Sequence, residues 1–284
     1  MRLRIGGWPG GARGTVLVLP GRAEWIEKYG RVAAAFAARG YGLLAIDWRG
    51  QGLCARAVPD ARMGHVGHFD EYQTDLAAFL DAAQDLGVRR PAPLLAHSMG
   101  GCIALRALTG GLAAPAVALS APMWGLHMSP ALRSAAWSVA TLARATGRAA
   151  RYPPGVGPQL NVAETPFDDN MLTTDFETYD YMRQMLLAWP ELVVGGPSLN
   201  WLYAALREIR ALAPRPSPDI PAHIVLGTRE RIVDADAIRR RAAAWPAATL
   251  DVIDGAEHEV LMETPPMRDR AIAAAADLFD THGA

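Results

Sequence analysis

The segment Leu94-Leu95-Ala96-His97-Ser98-Met99-Gly100-Gly101 sets one serine between a short apolar run and a run with helical spacing. A serine so placed can act as a nucleophile. Small residues two positions to either side let a strand and a helix approach closely around a strained turn that exposes Oγ. The glycine usual at the first small position of G-x-S-x-G is Ala96 here. Such a turn aims the N–H of Met99 at a reacting carbonyl, and the helix that follows adds the positive end of its dipole. The alternative is an ordinary Ser-Met-Gly turn ahead of a core helix.

Serine is a weak nucleophile and needs a base, itself oriented by an acid. With a nucleophile on a strand–turn–helix elbow, the chain order is serine, acid, histidine. His258, in Asp254-Gly255-Ala256-Glu257-His258-Glu259, follows the last apolar run and suits the base. His65, His68, His97, His127, His223 and His282 fit structural or surface roles better. Four acids, Glu230, Asp234, Asp236 and Asp254, lie near the end of the preceding strand. Glu230, three residues past Gly227, is preferred; Asp234 is the second choice, and it and Asp236 could equally cap the next helix. An oxyanion hole needs a second N–H from the loop after the first core strand, which is Leu19-Pro20-Gly21-Arg22, so Arg22 and Met99 are the candidate donors. The Arg22 side chain reads as solvated, or alternatively as a partner for a phosphate or carboxylate. Cys102 reads as a small buried residue, and Asp47 and Arg49 as braces for loops near the site.

These groups need a scaffold, and the chain alternates short apolar runs with helical patterns, as βαβ units with a mostly parallel sheet do. Strands are predicted at residues 15–19, 42–46, 93–96, 116–119, 222–226 and 249–253. Helices are predicted at 27–39, 69–86, 99–108 and 267–279. The alternation breaks between about residues 122 and 218, a helix-like, Ala-rich stretch holding Trp124, Trp137, Trp189 and Trp201. It ends in Pro214-Arg215-Pro216-Ser217-Pro218, a stiff connector. The predicted organisation is a core at 1–121, a helical cap at 122–218, and the rest of the core at 219–284.

The 284 residues suffice for one α/β core with an insertion. Apolar residues make up 51% and charged residues 20%, a folded composition. A net charge of −1 gives no electrostatic case for nucleic acid. Lys28 is the only lysine among 28 basic residues, which reads as compositional bias. Two cysteines make no disulfide framework, and no Cys/His array has zinc spacing. No apolar run has signal-peptide or membrane-spanning length. A cytoplasmic protein is expected, with transient contact at the inner membrane face through the cap.

The sequence resembles the α/β-hydrolase superfamily, and within it the bacterial lysophospholipase and monoacylglycerol-lipase-like branch. The matching stretches are LPGRAEWIEKY (19–29), DWRGQG (47–52), GHVGHFDEYQTDL (64–76), LLAHSMGG (94–101) and GTRERIVD (227–234), with NMLTTD (170–175) and WPELVVGGPSLNWL (189–202) in the insertion. The resemblance implies Ser98 as nucleophile, His258 as base, Glu230 as acid where aspartate is commoner, and the amides of Arg22 and Met99 as the hole. It also implies a leading edge strand, absent here or supplied by residues 2–8. The chemistry is two-step acyl transfer to water, with no metal or organic cofactor. A lysophospholipid or monoacylglycerol substrate is implied mainly by resemblance. A short-chain carboxylesterase, a thioesterase or an acyltransferase would use the same machinery, and a non-catalytic ligand-binding member of the fold is a further alternative.

Overall fold

The apolar runs become one seven-stranded sheet in the computed structural model, which describes residues 2–283. In chain order the strands are β1 (Arg4–Trp8), β2 (Gly14–Leu19), β3 (Tyr41–Asp47), β4 (Leu94–His97), β5 (Val117–Ser120), β6 (Ala222–Gly227) and β7 (Ala248–Ile253). Their spatial order is β1-β3-β2-β4-β5-β6-β7. All neighbours are parallel except β1, which lies antiparallel on β3 with Arg4 opposite Asp47 and Trp8 opposite Leu43. The leading strand is therefore present, within residues 2–8. A Cβ on Gly7 would overlap the Leu43 carbonyl oxygen, so close pairing there needs glycine.

Alternation along the strands sends side chains to two cores, one on each face. Leu17 and Leu19 of β2 join Leu44 and Ile46 of β3 on one side, whereas Val16 and Val18 join Leu43 and Ala45 on the other. The helices α1 (Gly30–Ala37) and α8 (Pro265–His282) cover the second face through Phe36 and Phe279. The helices α2 (Glu71–Asp85), α3 (Met99–Thr109) and α7 (Ala235–Ala243) cover the first. The helix predicted at 27–39 starts instead as a 3-10 turn over Ile26–Tyr29, whose first N–H donates to Asp47 Oδ1 at 2.9 Å.

Between β5 and β6 lie α4 (Pro130–Ala145), α5 (Phe176–Ala188) and α6 (Leu199–Leu212), with no strand among them. Each starts at a capping side chain, Ser129, Asp175 or Ser198, that accepts from an N–H in the first turn. The stretch from α4 to α5 is less helical than predicted and carries only the 3-10 turn Phe167–Asp169. Pro153, Pro154, Pro158 and Pro166 withhold the N–H groups a helix would need there. Apolar residues of this region pack onto the sheet's own cores: Trp201 and Ala204 on one face, Tyr179, Met182 and Leu186 on the other. Leu132, Val139 and Leu142 of α4 remain exposed. No helix among the described residues is long and apolar enough to cross a membrane.

Candidate active site

Ser98 sits between β4 and α3 with φ 47° and ψ −114°, a conformation that costs a non-glycine residue energy and persists only where the surroundings fix it. They do so here. The Ser98 N–H donates to the Ser120 carbonyl at 3.0 Å, and the Ser98 carbonyl accepts from Gly101 and Met123 at 2.9 Å each. The glycines follow from packing: a Cβ on Gly100 would overlap the Leu19 carbonyl oxygen, and one on Gly101 would collide with Pro122. Cys102 is fully buried, and burial pushes its thiol well above the usual range, which removes it as a nucleophile.

Ser98 Oγ lies 3.0 Å from His258 Nε2, and His258 Nδ1 lies 2.7 Å from Glu230 Oε2. With Nδ1–H donating to the carboxylate, Nε2 is the acceptor for the serine hydroxyl. The other Glu230 oxygen accepts from the amides of Ile232 at 2.6 Å and Val233 at 2.9 Å. Burial works against the charged form of Glu230, but the bonds from His258 and these amides prevail and hold its carboxyl below the usual range. The competing acids are engaged elsewhere: Asp234 caps α7, and Asp254 accepts from Thr228. The imidazoles of His65 and His223 bond to Ser198 and Thr249, away from the serine. The amides of His258 and Glu259 donate to Met171 and Leu172, so the segment before α5 holds the loop that carries His258.

The β2–α1 loop supplies the other predicted donor. A Cβ on Gly21 would lie 3.2 Å from Ser98 Cβ, so this loop runs directly beside Ser98. Among the described residues the amides of Arg22 and Met99 donate to no protein acceptor, leaving both for an oxyanion. The loop is pinned by the Trp48 indole donating to the Pro20 carbonyl at 2.8 Å and by the Ala23 amide donating to Gln51. Asp47 and Arg49 act as braces: Asp47 accepts from Ile26, Leu53 and Arg4, and Arg49 pairs with Glu71 and Asp75. A cavity of about 860 Å³ lies between α4, α6 and α7, but Ser98, Glu230 and His258 do not line it.

Behind the oxyanion loop lies a buried network that sequence reasoning missed. The Lys28 ammonium, 2% exposed, is 2.5 Å from Glu24 Oε1 and 2.6 Å from Glu259 Oε1. Glu24 also accepts from the Gly21 amide and from the Tyr29 hydroxyl. The network thus joins the loop of Arg22 to the residue after His258. One signal was available: an i,i+4 Glu–Lys pair built on the only lysine of the chain. Ligand atoms of Glu24, His97 and Glu259 lie within 4.8 Å of one another, but Lys28 already compensates both carboxylates, which argues against a cation there.

His97, whose ring lies 4.8 Å from that of His258 and is tilted 55° to it, faces this network and donates through Nδ1 to the Ser120 carbonyl at 3.0 Å. Burial pulls its imidazole down to about 4; nearby Glu24 opposes that pull, while His258 and Lys28 reinforce it. In the unfolded chain the ring takes a proton near pH 6.5, so the folded state loses stability as pH falls from about 6.5 toward 4. The expected loss from this group by pH 5 is about 2 kcal/mol. Glu259, raised by burial, acts in the opposite sense, so the comparison must isolate His97. Urea unfolding at pH 7 and pH 5 should show a larger drop in wild type than in His97→Asn, and equal drops would count against this account.

The family model described as "Serine aminopeptidase, S33" matches residues 10–265. Lysophospholipase L2 of Escherichia coli K12 is 33% identical, over 94% of this chain and 80% of that protein. The probable lysophospholipase L2 of Haemophilus influenzae is 31% identical, over 90% and 80%. In fold the chain is similar to a soluble variant of monoglyceride lipase from Saccharomyces cerevisiae, with TM-score 0.74, 21% identity and coverage of 99% and 91%. It is likewise similar to the Paleococcus ferrophilus monoacylglycerol lipase, with TM-score 0.76, 18% identity and coverage of 99% and 100%. A serine on a strained elbow, a parallel sheet with one antiparallel edge, and these relatives lead to one assignment: the chain has the α/β-hydrolase fold and belongs to the serine aminopeptidase S33 family, with lysophospholipase L2 among its relatives.

Proposed function

We propose that this carboxylic ester hydrolase works through Ser98, His258 and Glu230, and that it deacylates long-chain monoacyl glycerolipids, a lysophospholipid or a monoacylglycerol. The observation that carries the catalytic part is the unbroken hydrogen-bond chain from Ser98 Oγ through His258 to Glu230. His258 accepts the serine proton as Oγ attacks the ester carbonyl, and the Arg22 and Met99 amides hold the oxyanion. The alcohol leaves with the proton from His258, and water cleaves the acyl-enzyme by the same route.

Residues 122–218 act as a cap in this reading, which is supported by Met171 and Leu172 accepting from the amides of His258 and Glu259. Exposed Leu132, Val139 and Leu142 suit transient contact with the cytoplasmic membrane face. The lipid assignment is supported by the names of the L2 relatives and of the two lipase structures. The aminopeptidase in the family's description is disfavoured by charge. A peptide's α-ammonium needs an anion, yet the loop beside the serine carries the cationic Arg22, and Glu24 and Glu259 are bound to Lys28.

The test is a panel of lysophosphatidylcholine, monooleoylglycerol, p-nitrophenyl esters of rising chain length and an aminoacyl anilide. Long-chain glycerolipids should give the highest kcat/KM. Preference for short esters would reduce the protein to a general esterase, and preference for the anilide would overturn the ester assignment.

A further inference from the structure

Arg22 differs from Arg4 and Arg49, the arginines that brace the neighbouring loops, in having no counter-charge. Arg4 meets Glu27 and Asp47, and Arg49 meets Glu71 and Asp75; in both, the carboxylate bonds raise the guanidinium pKa. The buried ammonium of Lys28 has two carboxylates. The partly buried Arg22 guanidinium instead donates to the Gly195 carbonyl at 2.7 Å and lies 5.5 Å from the Trp201 ring centroid. Burial draws it down to about 10, and no carboxylate among the described residues offsets that.

Its position is also prepared. The loop that carries it is pinned through Pro20, Gly21 and Ala23. A Cβ on Gly64 would lie 3.0 Å from Arg22 Nη1, so glycine leaves the head of the side chain its space. Taking a cation partly out of water without an anion is unfavourable, and a guanidinium presents five N–H donors, of which one is used by Gly195. The planar fork matches two oxygens of a phosphate. Gly21, one residue earlier, packs against Ser98, so the residue that carries this charge belongs to the loop beside the serine.

We propose that the Arg22 guanidinium is the head-group reader of the site, pairing with the phosphate of a lysophospholipid and so favouring it over a neutral monoacylglycerol. The proposal rests on the reading of the site as a monoacyl-lipid esterase and names which of its two substrates the site is built for. Arg22 is a specificity-determining residue here, distinct from the part its amide plays in the hole.

The experiment compares 1-oleoyl-lysophosphatidylcholine with 1-monooleoylglycerol, which share an acyl chain, in wild type, Arg22→Lys and Arg22→Met. Rates are normalised to active sites titrated with a fluorophosphonate. The ratio of kcat/KM for lysolipid over monoacylglycerol should fall about 10- to 100-fold in Arg22→Met, through KM, as loss of a charge-assisted hydrogen bond predicts. Arg22→Lys should recover part of it. An unchanged ratio, with both substrates losing equally, would mean that Arg22 only anchors the Gly195 segment and would overturn the proposal. Wild type provides a check independent of folding. Glycerol 3-phosphate should inhibit monooleoylglycerol hydrolysis competitively where glycerol does not, and equal weak inhibition by both overturns the proposal. Failure of wild type on both oleoyl substrates would instead sink the underlying esterase reading.

Discussion

Ser98→Ala is expected to lower kcat by about 10⁵- to 10⁶-fold on the best ester while the protein unfolds at the wild-type temperature. The chemical loss is that large because the oxygen that carries the acyl group in the proposed mechanism is gone and no neighbour replaces it, Cys102 being sealed in the core. The fold survives because Ser98 Oγ bonds only to His258, whereas the elbow is held by backbone bonds to Ser120, Gly101 and Met123. Alanine inherits the strained φ of 47° and adds no atom. Steady-state rates, melting curves and loss of fluorophosphonate labelling check this together. A variant that kept more than about 1% of wild-type turnover would remove Ser98 from the mechanism, since deletions of such nucleophiles cost far more than a hundredfold.

The largest effect on stability is expected at Lys28. Replacing it with methionine keeps the bulk but leaves Glu24 and Glu259 facing each other, both buried, without a cation. Removing one partner of a buried ion pair costs about 3–5 kcal/mol, a large part of the roughly 5–15 kcal/mol that a domain has. Burial disfavours the Lys28 ammonium, yet the two carboxylates prevail and raise its pKa. Urea unfolding of Lys28→Met should therefore show a loss of that order. Adding Glu24→Gln and Glu259→Gln should recover part of it, because the uncompensated charges go with the lysine. A loss below about 1 kcal/mol in the single variant would mean that water or a protonated carboxyl takes over the lysine's role.

What the sequence made legible is what is local along the chain. The elbow is one contiguous phrase, and Glu230 stands out by its distance from the end of a strand. The edge strand Arg4–Trp8 is obscure because two of its five residues are glycine, so no period-2 pattern marks it; pairing to β3 creates the element. The region after α4 has a helical composition, but its prolines decide the backbone. The Lys28 network is hidden for another reason. Its members stand at 24 and 28 on one segment and at 97 and 259 on two others, and a Glu–Lys pair four apart ordinarily means a solvated helix face. Only the tertiary fold turns that pair inward. Arg22 shows the same limit, since its exposure and its lack of a carboxylate are facts of packing.

The enclosure of Lys28 also gives the molecule a natural reporter of its own opening. A lysine-specific protease has a single place to cut, after residue 28, and in the folded chain that bond borders a side chain with 2% of its surface in contact with solvent. Amine-acylating reagents meet the same barrier at its ε-nitrogen. The rate of that one cleavage, or of acylation at that one nitrogen, reads how often the oxyanion loop and the base loop part company, on a timescale that catalysis itself does not register.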